Sequence, residues 1–232
     1  MSSQKKTQHD PRRGHFHTTG HSPYETRPNP VRRYQDLSGS SGEGAQRGNA
    51  QPARFVVVNQ RAKIEALGKL YLEAWWVKRR EIQGWQNIED IPPDDKIYRA
   101  ATRFAEAFGE VPLVVLPVAP KGIAASSVFP WLQNMMLAAR AISVGSVLTT
   151  LHPQVDARVA RLFGIPEDVL IFGCVPMGYP CGRFGPTSRK SITELAFFNE
   201  WGVKTPWHVG SYRSMAKIRA AIDGDDRDTR AC

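Results

Sequence analysis

The stretch Pro112–Ala141 reads P-L-V-V-L-P-V-A-P-K-G-I-A-A-S-S-V-F-P-W-L-Q-N-M-M-L-A-A-R-A. Its opening eight residues, Pro112–Ala119, are apolar and rich in β-branched side chains, which predicts a buried strand. Further on, Val128, Trp131, Leu132, Met135, Met136 and Ala139 recur at helical spacing, and Ile142 continues the series. Ser126 or Ser127 is placed to cap that helix. Because it is apolar over more than one face, the helix is expected at the centre of the core. A buried strand leading into such a helix is the building unit of a layered domain of strands and helices.

The flanks repeat this alternation. Arg54–Asn59 (R-F-V-V-V-N) predicts a short buried strand. Ile64, Leu67, Leu70, Tyr71, Ala74 and Trp75 predict a helix over roughly 61–80. Turn residues from Gly84 to Pro93 predict a loop. Asp94 or Asp95 can cap a second helix with Ile97, Ala101, Phe104 and Phe108 on one face, ended by Gly109. Ser146–Thr150 reads as a short strand or extended loop. A helix is expected from Pro153 to Phe163, with Gly164 as its stop. Val169–Pro176 predicts a third apolar strand, followed by a Gly/Pro-rich loop through Pro186. Residues 204–232 are less regular, and Asp223–Cys232 reads as a polar tail. Strands alternating with helices point to an α/β or α+β domain.

Composition narrows the classes. The chain has 232 residues, 41% apolar and 23% charged, which excludes wholesale disorder, collagen and coiled coil. Lys and Arg outnumber Asp and Glu 31 to 22, a net charge of +9 that favours anionic partners such as phosphates, nucleotides or nucleic acid. Cys174, Cys181 and Cys232 form no disulfide framework and no C-x-x-C pair, so a reducing, cytoplasmic location is expected. The apolar runs are too short to span a bilayer, and no secretory signal is visible. Residues 1–48 differ from the rest. Their only apolar residues are Met1, Phe16, Tyr24, Val31, Tyr34, Leu37 and Ala45, and eight Lys/Arg stand against four Asp/Glu. Such a segment buries too little surface to offset its ordering entropy and reads as a disordered basic tail. A nucleic-acid-binding reading of that tail lacks aromatic interleaving and a recognisable binding fold.

Few motifs carry chemistry by themselves. His15 and His17 form H-x-H with His9 and His21 nearby, but a metal site needs an ordered frame to hold its ligands. Gly178, Gly182 and Gly185 match neither the dinucleotide fingerprint nor a P-loop. Arg183, Arg189 and Lys190 in or beside that loop suit a phosphate, and a solvated basic loop fits them equally. Asn49-Ala50-Gln51-Pro52 puts two amides beside a proline turn, where mixed donors and acceptors can meet a flavin or nucleobase edge; a plain turn entering a strand fits as well. Cys174 lies in an apolar run and reads as core, and His152 reads as a capping or surface residue. With no nucleophile–base set, the chain is either a binding protein or an enzyme whose cofactor does the chemistry.

Five segments in order resemble the flavin-dependent nitroreductase family. They are N-A-Q-P-A-R-F-V-V-V (Asn49–Val58), S-V-F-P-W-L-Q-N-M-M-L-A-A-R-A (Ser127–Ala141), V-G-S-V-L-T-T (Val144–Thr150), L-F-G-I-P-E-D-V (Leu162–Val169) and V-P-M-G-Y-P (Val175–Pro180). G-R-F-G-P-T-S-R-K (Gly182–Lys190) followed by Trp201-Gly202 fits one branch of it. The resemblance covers 49–202. It implies a three-layer α+β sandwich with a central mixed or antiparallel sheet, and residues 203–232 as a C-terminal extension. It also implies a homodimer with FMN at the interface and NAD(P)H as electron donor. The acceptor would be a small electron-poor molecule such as a nitroaromatic or quinone. By the same resemblance Asn49 and Gln51 contact the flavin ring or ribityl chain, Thr149 and Thr150 lie near its reactive edge, and Arg189 with Lys190 binds the phosphate. Family relatives with other flavin chemistry, dehalogenation or flavin breakdown, fit the same segments. Ala53 departs from the family pattern, which often has Trp there.

The larger departure is residues 1–48, which lack the family's first helix with its phosphate-binding arginines. Synonymous codons for Ala45–Asn49, read one base out of phase and with one G restored, allow A-P-S-G-G-N, the string with which the family enters this turn. The same shift allows T-R-R-A-I-R-R-M-K-P-D-P-I-P-S-D-D-T-K-I from His17 to about Leu37. Residues from about 9 to 48 are therefore expected to be an out-of-frame reading of a nitroreductase N-terminus, against the alternative of a true basic tail. Codons at Thr18 and Thr19 that cannot yield Arg-Arg in the shifted frame would exclude the shift. A chain made as written would hold FMN more weakly, since each lost charge-assisted hydrogen bond is worth roughly 1.5–3 kcal/mol. At the extreme it is a misfolded product of a damaged gene.

Overall fold

The computed structural model describes residues 44–45, 47–150, 152–180 and 190–206, except the side chains of residues 152 and 153. The basic tail through residue 43, the Gly/Pro-rich loop from Cys181, Arg189, the side chain of His152 and the polar tail Asp223–Cys232 lie outside these residues. The chain forms two compact units, Met1–Gly182 and Arg183–Cys232.

The first unit contains, in order, β1 (Arg54–Val58), α1 (Arg61–Gln83), α2 (Lys96–Glu106), β2 (Leu113–Pro120), α3 (Phe129–Ala141), β3 (Gly145–Ser146), α4 (Asp156–Phe163), β4 (Val169–Ile171) and β5 (Val175–Gly178). The sheet is antiparallel, in the order β1-β2-β5-β3, with β4 also paired to β2. Side chains alternate across a strand, and β2 divides accordingly. Val114, Leu116 and Val118 pack in one cluster with Ile64, Leu67 and Tyr71 of α1, Ala105 of α2 and Val159 of α4. Leu113 and Val115 pack in another with Leu132, Met135 and Ala139 of α3. Three helices therefore cover one face of the sheet and α3 covers the other, the expected three-layer α+β arrangement.

The predicted strand Val169–Pro176 is two strands, β4 and β5. The cause lies in the neighbour. Pro117 sits inside β2 and has no N–H to give to a ladder. Opposite it the partner strand breaks over Phe172–Cys174, and only the Phe172 amide reaches the Pro117 carbonyl, at 2.8 Å. β2 pairs with β4 on one side of that break and with β5 on the other.

α1 starts as predicted and continues to Gln83, where Gly84 in the left-handed region (φ 76°) closes it with its N–H on the Arg80 carbonyl. Midway, Gly68 meets the tight turn Phe108–Glu110: a Cβ on Gly68 would fall 2.6 Å from the Cα of Gly109. α2 is capped by Asp95, whose carboxylate accepts from the Tyr98 amide. Its inward face begins at Tyr98, because Arg99 is drawn in to the carbonyls of Ile88 and Ile91. Ile97, expected on that face, is instead 81% exposed. α2 also ends earlier than expected, at Glu106, and Phe108 belongs to the following turn.

Neither Ser126 nor Ser127 caps α3. A short turn, Ala125–Ser127, precedes it, Val128 stands at the cap without a side-chain bond, and Pro130 in the first turn has no amide to cap. α3 is also not central. Trp131, Leu132, Met135 and Ala139 are buried, while Leu137 is 57% exposed. Its apolar excess thus lies on an uncovered outer face.

In the second unit Ser191 and Glu194 form a capping box around α5 (Ile192–Leu195). A bridge joins Phe197 to Lys204, and the Phe197 and Trp201 rings lie 4.6 Å apart.

Candidate functional site

The turn before β1 is strained backbone. Gly48, Asn49 and Gln51 all have left-handed φ values, 59°, 52° and 47°. For Asn this is tolerable; for Gln it is uncommon and costs on the order of 1–3 kcal/mol. The turn is held by four local bonds, the first from the Ala50 amide to the Arg47 carbonyl at 3.2 Å. The Gln51 amide nitrogen donates to the Asn49 side-chain oxygen at 3.2 Å. The Arg54 guanidinium donates to the carbonyls of Gln51, at 2.6 Å, and Ala53, at 2.9 Å. Both amide side chains are exposed. Their mutual bond leaves the Asn49 nitrogen and the Gln51 oxygen outside it, one donor and one acceptor facing solvent from a fixed turn.

The turn is seated on α3. The Arg47 amide reaches the Ser127 hydroxyl at 3.5 Å. Gly44 lies so close to Trp131 that a Cβ there would stand 2.4 Å from the indole. Strained backbone, an amide pair and a tight glycine contact thus coincide where the chain enters the sheet.

Thr149 and Thr150 follow β3 and have different surroundings. Thr149 exchanges both backbone hydrogen bonds with Cys174, at 3.0 and 2.9 Å. Its hydroxyl lies 2.9 Å from the Tyr71 hydroxyl of α1. Thr150 is exposed. Tyr71 is only 5% exposed and stacks on Phe108 with ring centroids 4.2 Å apart. Burial pushes its phenol up to about 12, partly offset by the bond to Thr149, so it stays protonated around neutral pH. Cys174 is fully buried, and burial pushes its thiol far above the ordinary range. It is core, as its apolar surroundings predict, and supplies no nucleophile.

Leu148 faces the other side of this segment. With Ser126, Phe129, Pro130, Gln133 and Met136 it lines a groove of about 490 Å³ along the outer face of α3. Leu148 therefore meets the first turns of α3, and the residues just before the Asn49–Gln51 turn reach the same end of the helix through Arg47 on Ser127 and Gly44 against Trp131. Lys190 is exposed and precedes the capped helix of the second unit; Arg189 lies outside the described residues.

Reading the sequence missed Tyr71, Arg54 and Ser127. Tyr71 was legible only as a core position of α1, and its partner lies 78 residues away. Arg54 was read only as the start of a strand. Together the first-unit residues offer neutral amides, a threonine edge and an apolar groove. That set suits binding a flat heterocycle better than activating a nucleophile.

Comparison with known proteins bears on the fold and the family. An FMN- and NADPH-dependent nitroreductase, NfnB from Sphigopyxis sp. strain HMH, superposes with a TM-score of 0.57 at 19% identity, over 75% of this chain and 92% of that one. An iodotyrosine deiodinase solved with FMN and 3-iodo-L-tyrosine gives 0.56 at 20% identity, over 70% and 85%. At these identities the likeness concerns the fold. A Methanothermobacter thermautotrophicus protein, provisionally named an NADH dehydrogenase/NAD(P)H nitroreductase, is 44% identical over 55 residues, or 23% of this chain and 29% of the relative. The profile of the nitroreductase family matches residues 45–179, more than half of the chain and including both the Asn49–Gln51 turn and Thr149–Thr150. The chain belongs to the nitroreductase family.

Proposed function

We propose that this chain binds FMN and passes electrons from NAD(P)H to a small electron-poor acceptor, a nitroaromatic or a quinone. The observation that carries the reading is the Asn49–Gln51 turn. It lies within the family match, its backbone is held left-handed at two non-glycine residues, and its amides keep a donor and an acceptor free of their mutual bond. A turn so constrained is maintained where it serves a ligand. Support comes also from the FMN named for both solved structures quoted above.

The described residues of the first unit fit such a group. Asn49 and Gln51 would meet polar atoms of the ring system or ribityl chain. Thr150 and the apolar groove along α3 would flank the ring. Arg189 and Lys190 would hold the phosphate by charge. FMN itself, when bound, supplies the reversible two-electron redox chemistry. The protein's part is to orient, to exclude water and to present neutral donors and acceptors, and no side chain is asked to act as base or nucleophile.

A homodimer is part of the proposal. The outer face of α3, with Leu137 at 57% exposure and Phe129 at 37%, is apolar surface of the kind a second subunit covers. Residues 49–202 are proposed as the flavin-binding domain and 203–232 as its extension. The iodotyrosine deiodinase likeness favours one second reading, reductive dehalogenation on the same flavin.

The test is the visible spectrum of the purified chain after incubation with FMN and desalting, followed by anaerobic NAD(P)H. Retained flavin that NAD(P)H bleaches, and that nitroaromatics or quinones reoxidise, is the expected outcome. Reoxidation only by haloaromatics would favour the second reading. Absence of retained flavin, also in a chain with the frame-restored N-terminus, would overturn the proposal.

A further inference from the structure

We infer that Tyr71 is a positioning residue for the edge of the proposed flavin site: its hydroxyl ties Thr149 inward, which sets Leu148 in the α3 groove and leaves Thr150 exposed. The inference rests on the flavin reading for its functional meaning, but its geometry stands on four observations. Thr149 is fixed to Cys174 through both backbone groups. Its side chain is fixed to Tyr71 at 2.9 Å, across the packing of α1 on the sheet. Side chains alternate along extended chain, so residues 148 and 150 share the face opposite Thr149. Leu148 is accordingly found in the groove, and Thr150 is exposed.

The Tyr71 phenol is neutral, Thr149 is its hydrogen-bond partner among the described residues, and either hydroxyl can supply the hydrogen of the bond between them. A buried O–H without an acceptor is costly, so the bond holds both residues in register. Behind Tyr71, Phe108 stacks at 4.2 Å and keeps the phenol from withdrawing. Thr149 is therefore an anchor, and the residues on either side of it meet the ligand.

The experiment has two arms on the full chain. In the flavin-free protein, Tyr71→Phe keeps the stack and removes the hydroxyl. Hydrogen exchange in the peptide spanning 147–150 is expected to speed up by about fivefold to tenfold, the factor for one lost hydrogen bond. Unchanged exchange at 147–150 would overturn the positioning role whatever the ligand is. In the second arm FMN dissociation constants are measured for Tyr71→Phe, Thr149→Val and the double variant. Each single change is expected to weaken FMN by about the same fivefold to tenfold, and the double no further, because Tyr71 acts only through Thr149. Thr149→Ser, which keeps the hydroxyl, should bind as the parent does. Effects that multiply in the double variant, or a Tyr71→Phe chain that binds FMN normally, would refute the inference and leave the flavin reading intact. A parent chain that binds no FMN would defeat the flavin reading and leave the first arm to judge the anchor.

Discussion

Gly68 sits in the middle of α1, where a helix would ordinarily gain about 0.5–1 kcal/mol from alanine. Here the sign is expected to reverse. A Cβ at Gly68 would lie 2.6 Å from both the Cα and the N of Gly109, and backbone atoms cannot swing aside as a side-chain tip can. Overpacking of this kind costs about 1–3 kcal/mol, and a backbone contact belongs in the upper half of that range. The net loss for Gly68→Ala is then about 1–2.5 kcal/mol, or roughly 2–10 °C in the unfolding midpoint of a chain this size. The displaced turn carries Phe108, which stacks on Tyr71, so Thr149 would shift as well. Thermal and urea unfolding followed by circular dichroism measure the loss. Gly109→Ala is the control, because its Cβ would meet Glu65 at an ordinary 3.6 Å. A Gly68→Ala chain as stable as the parent, or a Gly109→Ala chain that loses as much, would refute the reasoning.

Other outcomes follow from single contacts. Thr102→Val strands the buried indole N–H of Trp75, now 3.1 Å from the Thr102 hydroxyl, and should lower the urea-derived stability by about 1–3 kcal/mol. Cys174, fully buried and with its thiol pushed up, should resist iodoacetamide at pH 8 until denaturant is added, as peptide mass spectrometry would record. Glu73 is held below the usual carboxylate range by its hydrogen bonds to Arg158. A depressed folded value means the pair's contribution is present above the unfolded carboxyl's pKa of about 4.3 and is lost as pH falls through the lower, folded value. The stabilities of Glu73→Gln and parent should converge in acid, and at neutral pH the small difference should shrink in high salt, since both partners are exposed.

Local pattern carried the fold a long way. The Val-rich run of β2 was legible because it is buried on both faces, and the 3.6-residue spacing of α1 because it buries one; β1 is a strand as expected but, at the end of the strand order, has only Val58 buried and leaves Val57 37% exposed. Where two signals competed, pattern alone misled. Ile97 has the right spacing, yet Tyr98 and Arg99 set the inward face of α2 through contacts to Trp75, Trp85 and the turn before the helix. The serines before α3 look like caps, but Pro130 removes an amide they would serve. The split between β4 and β5 was not legible, because the proline opposite it, Pro117, lies in another run and acquires its meaning only once the neighbouring strand is known. In the site, the two amides could be named from the turn, while the left-handed backbone beneath them has no residue signature, since neither is glycine. The Tyr71–Thr149 contact joins segments that no local window spans.

The division of β2 between two clusters has a consequence for cooperativity. Val114 and Leu116 answer to the helices α1, α2 and α4, and Leu113 and Val115 to α3. The same four-residue stretch is thus a common wall, and neither layer can peel away without exposing residues interleaved with those of the other. Its amides should exchange only through opening of the whole unit, and a substitution that loosens α3 should lower protection on the α1 side to the same extent. The first unit would then have no independently melting half, so a ligand that stiffens α3 stiffens the far helical layer too.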